Sequence, residues 1–440
     1  MRLLRRKMTL CRAAGRRPAG CDGGGDDCVL LTLPASQRSV TTPFDRWFHR
    51  RFRGKSEAVL ATAPENSCLP RLDSLPSVGA NEEEDRARIE ELRARCTRFL
   101  NGHGNRPPSE LLARIPDDTR ADRYGKGGVV EELEVEVAGL LGKPAAVFVP
   151  TGTMAQQVVL RVHADRRGRR SVAWHPACHL DWHEGRGYQW LHDLVGIPVG
   201  DIREPLTLAA LAVLAEPPAA LLIELPQRDL GGVLPPWDEL VAMTAWARQH
   251  GAAAHMDGAR IWEAAAGYGR NEAEVADVFD TVYVSFYKGL GAISGCCVAG
   301  PVDVVAEVSQ WRTRHGGRAF ALWPYAASAL AELRSRRCRM PDYLEHARRI
   351  AAAMTGFDWV RVLPDPPQTS MMHLQLRVSK AELLERALAI ADSEGIWTFP
   401  EPFALDDQAQ LRIEMSVGDA TLGFSPDEVL GLLRRLANGS

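Results

Sequence analysis

Between residues 145 and 300 the chain alternates short apolar runs with longer amphipathic stretches, and this alternation restricts its fold more than any other feature. The runs Ala145–Val149, Ser171–Trp174, Ala219–Leu225, Ala252–Met256, Thr281–Ser285 and Gly295–Gly300 are each four to seven residues long and bounded by turn residues. They are too short for buried helices and too uniformly apolar for strands with one wet face, so they read as strands covered on both sides. Val129–Leu141, Pro205–Ala215 and Trp237–His250 carry helical patterns. Strands separated by helices pair through crossovers rather than hairpins, which implies an α/β unit with a mostly parallel sheet. Past Trp323 the texture changes to the long helical stretches Ala327–Arg339, Asp342–Met354 and Lys380–Gly395. Strand-like runs at Met371–Val378 and Gln410–Val417 complete that part, and Ser425-Pro426-Asp427-Glu428 opens a closing helix. The expected division is therefore a large α/β domain with its N-terminal arm over 81–325 and a smaller α+β domain over 326–440.

Residues 1–80 are rich in Arg, Gly, Pro and Ser and show no sustained hydrophobic period. A segment of that kind cannot offset its ordering entropy, so disorder is expected, and the basic, aromatic-containing run Arg46–Lys55 reads as part of a solvated tail. The formal net charge of -3 gives no drive toward nucleic acid. Nine scattered cysteines without a CxxC pair indicate neither a disulfide framework nor a zinc knuckle, which favours a reducing cytoplasm. Neither a membrane span nor the apolar core of a secretory signal is present in the pattern.

Two residues carry the chemistry. Asp257 in HMDGARIWEA and Lys288 in VSFYKGLGA each lie at the end of an expected strand, where open α/β sheets bind ligands. A lysine flanked by Phe286, Tyr287 and Gly289 can be shielded from water and keep a neutral, nucleophilic amine. A buried carboxylate can hold a proton on a pyridine nitrogen, so together the two suit pyridoxal phosphate. Upstream, Val149-Pro150-Thr151-Gly152-Thr153 runs from a strand into a helix, whose first N–H groups can hold a phosphate. His175, His179 and His183 recur every four residues and raise the question of a metal. No HExxH arrangement or companion ligand supports one, so no metal is expected.

Taken with DRYG at 122–125, GKPAAVFVPTGTMAQ at 142–156, Ala177-Cys178-His179 followed by Glu184, GGVLP at 231–235, HMDGARIWEA and KGLGA, the chain resembles the threonine aldolase family. These are pyridoxal-phosphate enzymes of the aspartate-aminotransferase fold type. The resemblance implies a carbon–carbon lyase that cleaves a β-hydroxy-α-amino acid to glycine and an aldehyde, working as a homodimer or homotetramer. It implies Lys288 as the Schiff-base lysine, Asp257 as partner of the pyridine nitrogen and His179 stacked on the ring. Gly152 and Thr153 would hold phosphate, and Arg260 with Arg412 would clamp the substrate carboxylate. The same constellation also serves β-elimination and transamination, and an altered pocket would serve a silent cofactor-binding protein.

The departures from the family pattern concern proton handling. Its Arg-Ser-Asp-Thr opening is set against Arg93-Ala94-Arg95-Cys96-Thr97, and the histidine near the substrate hydroxyl becomes Gln227. An amide can bind that hydroxyl but cannot take its proton, so base duty passes to His179, another histidine or water. Tyr287 stands where serine precedes the lysine. Removing residues 1–80 is expected to leave activity and melting temperature nearly unchanged, and loss of folding in the shortened protein would show that the tail contributes to the core.

Overall fold

The computed structural model describes residues 80–399 and 411–439, so the expected disordered tail and its basic run lie outside the described residues. Twelve strands occur among them: β1 (Arg98–Phe99), β2 (Ala145–Val149), β3 (Ser171–Trp174), β4 (Val195–Pro198), β5 (Ala220–Glu224), β6 (Ala253–Gly258), β7 (Thr281–Ser285), β8 (Cys296–Gly300), β9 (Val360–Leu363), β10 (Met371–Leu376), β11 (Ile396–Trp397) and β12 (Leu411–Ser416). Seven form one sheet in the order β2-β8-β7-β6-β5-β3-β4. The run β7-β6-β5-β3-β4 is parallel, while β8 pairs antiparallel with both β2 and β7. Every residue of β5, β6, β7 and β8 is buried, as two-sided cover by helices requires.

The strand missed by apolar patterning is β4. Its Gly196 and Pro198 break the run, and its side chains are only partly buried. Both residues have reasons. A Cβ on Gly196 would lie 2.0 Å from the Trp174 ring of the neighbouring strand. Pro198 sits on the sheet edge, where a missing N–H costs no ladder bond. The stretch Pro205–Ala215 was expected to be one helix, yet only Leu208–Leu211 is helical, capped by the Thr207 side chain.

The second sheet is antiparallel with β10 between β12 and β9, and β1 pairs with β11. The closing helix Pro426–Asn438 begins with a reciprocal capping box between Ser425 and Glu428 and buries Val429, Leu432, Leu433 and Leu436 at helical spacing. The helix Trp323–Arg336 spans the expected boundary at 325/326. No helix among the described residues is long and apolar enough to cross a membrane.

One buried carboxylate organises the entry to that helix. Asp122 of the DRYG turn accepts hydrogen bonds from the backbone N–H of Gly125 (2.7 Å), Leu322 (2.8 Å) and Trp323 (2.7 Å). Its removal leaves three donors short of a partner in a dry place, which mutational series value at about 1–3 kcal/mol per group. Asp122→Ala should therefore lower the unfolding free energy by at least about 2 kcal/mol, read from urea denaturation. An unchanged midpoint would show that water replaces the carboxylate.

Candidate active site

The candidate site lies at the carboxyl ends of β5, β6 and β7. Glu224 ends β5, and its register partner on β6 is Asp257, which in turn pairs with Tyr283 of β7. Lys288 follows β7 by three residues. Parallel pairing thus sets side by side groups that lie 33 and 31 residues apart in the chain. In front of them opens a cavity of about 580 Å³. Its wall includes His179, His183, Arg228, Arg260, Lys288 and Glu414.

Electrostatics follow from burial. The Lys288 amine is pushed down by desolvation and by the Arg260 guanidinium, against the pull of Asp257 and Glu224. A larger neutral fraction makes it a better nucleophile. Desolvation pushes the fully buried Asp257 carboxyl up, although Lys288, the Ala259 N–H and Arg260 draw it down. Glu224 is pushed up to about 8 by burial and by the charges of Asp257 and Asp229. Burial also depresses His179 to about 3, with Lys288 and His183 adding to the effect.

The loop after Lys288 is held from three directions. Nε2 of His103 lies 2.7 Å from the Gly289 carbonyl, Arg336 donates to Leu290 at 2.8 Å, and Arg106 donates to Gly291. Glu332 ion-pairs with Arg106 and Arg336, and Asp419 with Arg336 and Arg339. Gly289 is required on space alone, because a Cβ there would come 1.8 Å from Glu263 Oε1.

The other sequence-derived residues divide. Gly152 begins the helix Gly152–Arg167, capped by Thr151, and a Cβ on it would lie 2.2 Å from the Tyr283 hydroxyl and 3.0 Å from that of Tyr287. Thr153 occupies the same first turn. Arg260 lines the cavity, but Arg412 does not, although it shares a face of β12 with Glu414. Arg228 stands in the wall instead, 2.8 Å from Glu414, and Arg260 is 3.6 Å from the same carboxylate. Gln227 is turned away from the cavity. Its amide donates to the Ala177 carbonyl (3.1 Å) and to Glu224 Oε2 (3.2 Å). The segment Arg93–Thr97 spans the end of the helix Ala80–Arg95 and the turn before β1, and the arm meets the cavity through Gly102 and His103. Sequence reasoning passed over Arg228, Glu414 and His103. For Glu414 a signal existed, since strand period places residues 412, 414 and 416 on one face.

His175, His179 and His183 do not share a helical face. The helix is only His179–Trp182, and the His175 ring bonds the Glu204 carbonyl at 2.9 Å and the Ala177 N–H at 3.1 Å. Among the described residues no group of three or more His, Cys, Asp or Glu is arranged to hold a metal ion.

The donor set fits pyridoxal phosphate. A carboxyl raised by burial is the partner that a cationic ring nitrogen would relieve, a depressed lysine amine stands just past the end of the next strand, and a helix begins at a glycine that leaves no room for a Cβ. The sequence profile of the beta-eliminating lyase family matches residues 110–377. A low specificity L-threonine aldolase of Saccharomyces cerevisiae is 26% identical over 289 residues, which span 63% of this chain and 73% of the yeast protein. A crystal structure from Exiguobacterium sp. 255-15, provisionally named an aromatic amino acid beta-eliminating lyase/threonine aldolase, is 35% identical with a TM-score of 0.75, covering 80% of this chain and 100% of that one. Another from Listeria monocytogenes EGD-E, provisionally named an L-allo-threonine aldolase, is 36% identical with a TM-score of 0.74, covering 80% and 99%.

The Glu414 pairs generate a pH prediction. Burial pushes this carboxyl up, but Arg260 and Arg228 outweigh it and hold it below the usual glutamate range. A carboxyl lowered in the folded state stabilises the fold above its unfolded value and loses that contribution as pH falls through the folded one. Glu414→Gln should therefore cost on the order of 3 kcal/mol at neutral pH, as expected for one lost partner of a buried ion pair, and less in acid. A pH-independent difference between the two denaturation curves would contradict this.

Proposed function

The chain belongs to the beta-eliminating lyase family, and we propose that it is a pyridoxal-phosphate-dependent carbon–carbon lyase cleaving threonine or allo-threonine, and related β-hydroxy-α-amino acids, to glycine and an aldehyde. The observation that carries this reading is the placement of Asp257 near the end of β6 and of Lys288 three residues past the adjacent parallel strand β7, where Lys288 lines a cavity walled by two arginines. When bound, pyridoxal phosphate supplies an electron sink for the substrate α-carbon.

The chain's own residues do the rest. Lys288 would hold the cofactor through its amine. Asp257 would keep a proton on the ring nitrogen, and His179, neutral because of its burial, would lie against the ring. The N–H groups at Gly152 and Thr153 receive the phosphate, helped by the helix dipole. Arg260 receives the substrate carboxylate, since a guanidinium fork matches it bidentately and fixes which bond of the α-carbon stands perpendicular to the ring. Arg228, at the cavity wall, is better placed than Arg412 to be the second cation. Gln227 orients the loop that carries Arg228 through its bonds to Ala177 and Glu224.

The residues beyond the helix Trp323–Arg336 are proposed to act as the smaller domain that supplies Glu414 and Ser416 to the site. A homodimer or homotetramer is supported by the exposed, edge-to-face pair Tyr124 and Phe320, apolar surface of a kind that association covers. A reducing cytoplasm is consistent with the five described cysteines, all free.

Purified holoenzyme given threonine, allo-threonine and phenylserine should yield glycine with acetaldehyde or benzaldehyde, whereas 2-oxobutanoate and ammonia from threonine would place it among eliminating enzymes. Lys288→Ala should lose both the visible absorbance of the bound cofactor and turnover, and full activity in that variant would end the cofactor assignment. Asp257→Ala should keep cofactor through its phosphate but turn over far more slowly, and an unchanged rate would make Asp257 structural.

A further inference from the structure

Cleavage of a β-hydroxy-α-amino acid requires a group that removes the hydroxyl proton, and the residues assigned so far do not supply it. Gln227 is turned to Ala177 and Glu224 and has no basic nitrogen. His179, depressed to about 3, is too weak a base near neutrality. His103 lines the cavity but is committed through Nε2 to the Gly289 carbonyl. Glu263 lines the cavity as well, but it is almost wholly buried and its Oε1 is wedged against Gly289, on the side of the lysine loop.

His183 remains. It lines the same cavity as Lys288 and Arg260, and its side chain is 37% exposed. Its ring centroid stands 4.8 Å from that of His179, so a substrate held against a ring stacked on His179 comes within its reach. Nε2 lies 3.5 Å from Oδ2 of Asp229, a buried carboxylate oxygen with no hydrogen-bond partner of its own. Asp229 belongs to the 3-10 turn Arg228–Leu230, which is fastened at both sides. The Arg228 N–H donates to Glu224 Oε1 at 3.0 Å, and the Gln227 N–H to the Val233 carbonyl at 2.9 Å. A carboxylate fixed beside one nitrogen of an imidazole orients the ring, leaves the other nitrogen as acceptor and stabilises the cation that forms on proton uptake.

We propose that His183, oriented by Asp229, is the catalytic residue that takes the proton from the substrate β-hydroxyl. This rests on the lyase reading above. In the step, the hydroxyl proton passes to the free imidazole nitrogen and the O–H electron pair becomes the second carbon–oxygen bond of the aldehyde. The Cα–Cβ bond breaks, and its pair remains on the α-carbon until a solvent proton replaces it to give glycine. His183 then returns its proton to water, so no oxidant or reductant is consumed. The imidazole thus enters from one turn beyond the stacking histidine, and the glutamine at position 227 is left to hold the loop.

The test separates hydroxyl deprotonation from every other step, using holoenzyme carrying His183→Gln, His183→Gly or Asp229→Asn. Threonine cleavage should fall by about 10²-fold or more in His183→Gln, the usual scale of a lost general base. Exchange of the glycine α-proton in deuterated water, which needs no hydroxyl deprotonation, should stay within about twofold of the parent. Added imidazole should restore part of the cleavage in His183→Gly, and Asp229→Asn should lose less than His183→Gln. In the cofactor-free protein diethyl pyrocarbonate should modify His183, and saturating threonine should block that modification in the holoenzyme. Parental cleavage in His183→Gln, equal loss of cleavage and exchange, or modification that threonine leaves unslowed would each overturn the assignment. A parent enzyme that exchanges glycine but cleaves no β-hydroxy amino acid would remove the lyase reading, and the role of His183 with it.

Discussion

Three consecutive carbonyl groups behind Lys288 are each held by a cationic or imidazole side chain from another part of the chain, and the working geometry depends on that grip. His103 and Arg106 come from the arm, and Arg336 ends the helix that leads toward the second sheet. Glu332 and Asp419 neutralise these cations, and Tyr343 donates to Asp419 at 2.5 Å. Removing one member of such a network leaves a charge in a low-dielectric place, which costs several kcal/mol, so the arm, the large sheet and the second sheet are coupled through one short loop. A lysine that must meet a carbonyl carbon within a few tenths of an ångström gains from being over-determined in this way.

Carboxyl groups crowd the same region, and their burial sets its character. Glu184 and Glu263 are each pushed up to about 7 by desolvation, and Glu224 to about 8. Glu414, by contrast, is held down by the two arginines that it separates. The floor of the site is therefore poor in full negative charge around neutral pH, whereas its wall carries the guanidinium groups. Such a charge distribution would draw an anionic carboxylate to the wall and favour a cation at the floor beside Asp257.

A second buried chain of polar groups lies behind that floor. His163 and His255 both contact the Thr281 hydroxyl at 2.8 Å, and His255 Nε2 lies 2.9 Å from the Gln156 carbonyl oxygen. Burial keeps both histidines neutral, with His255 at about 3. Because an amide oxygen can only accept, His255 donates through Nε2 and must accept from Thr281 through Nδ1. The Gln156 amide is then presented toward Asp257, whose carboxyl it helps to draw down.

The sequence alone determined the large sheet, because strands buried on both faces must be continuous apolar runs and six of them were. It also placed Asp257 and Lys288 at strand ends, since each lies within a few residues of one and needs only local order to be there. The edge strand β4 stayed hidden, as its glycine and proline answer to the Trp174 ring and to the sheet edge rather than to any local pattern. Tertiary structure alone decided which arginine meets Arg260, because Arg228 and Arg412 lie 184 residues apart and only the meeting of the loop after β5 with β12 places Glu414 between Arg228 and Arg260. It decided likewise that His183, rather than Gln227, faces the cavity. A side chain's partner across such separations is set by how sheets and loops close on one another, and no periodicity along the chain encodes that.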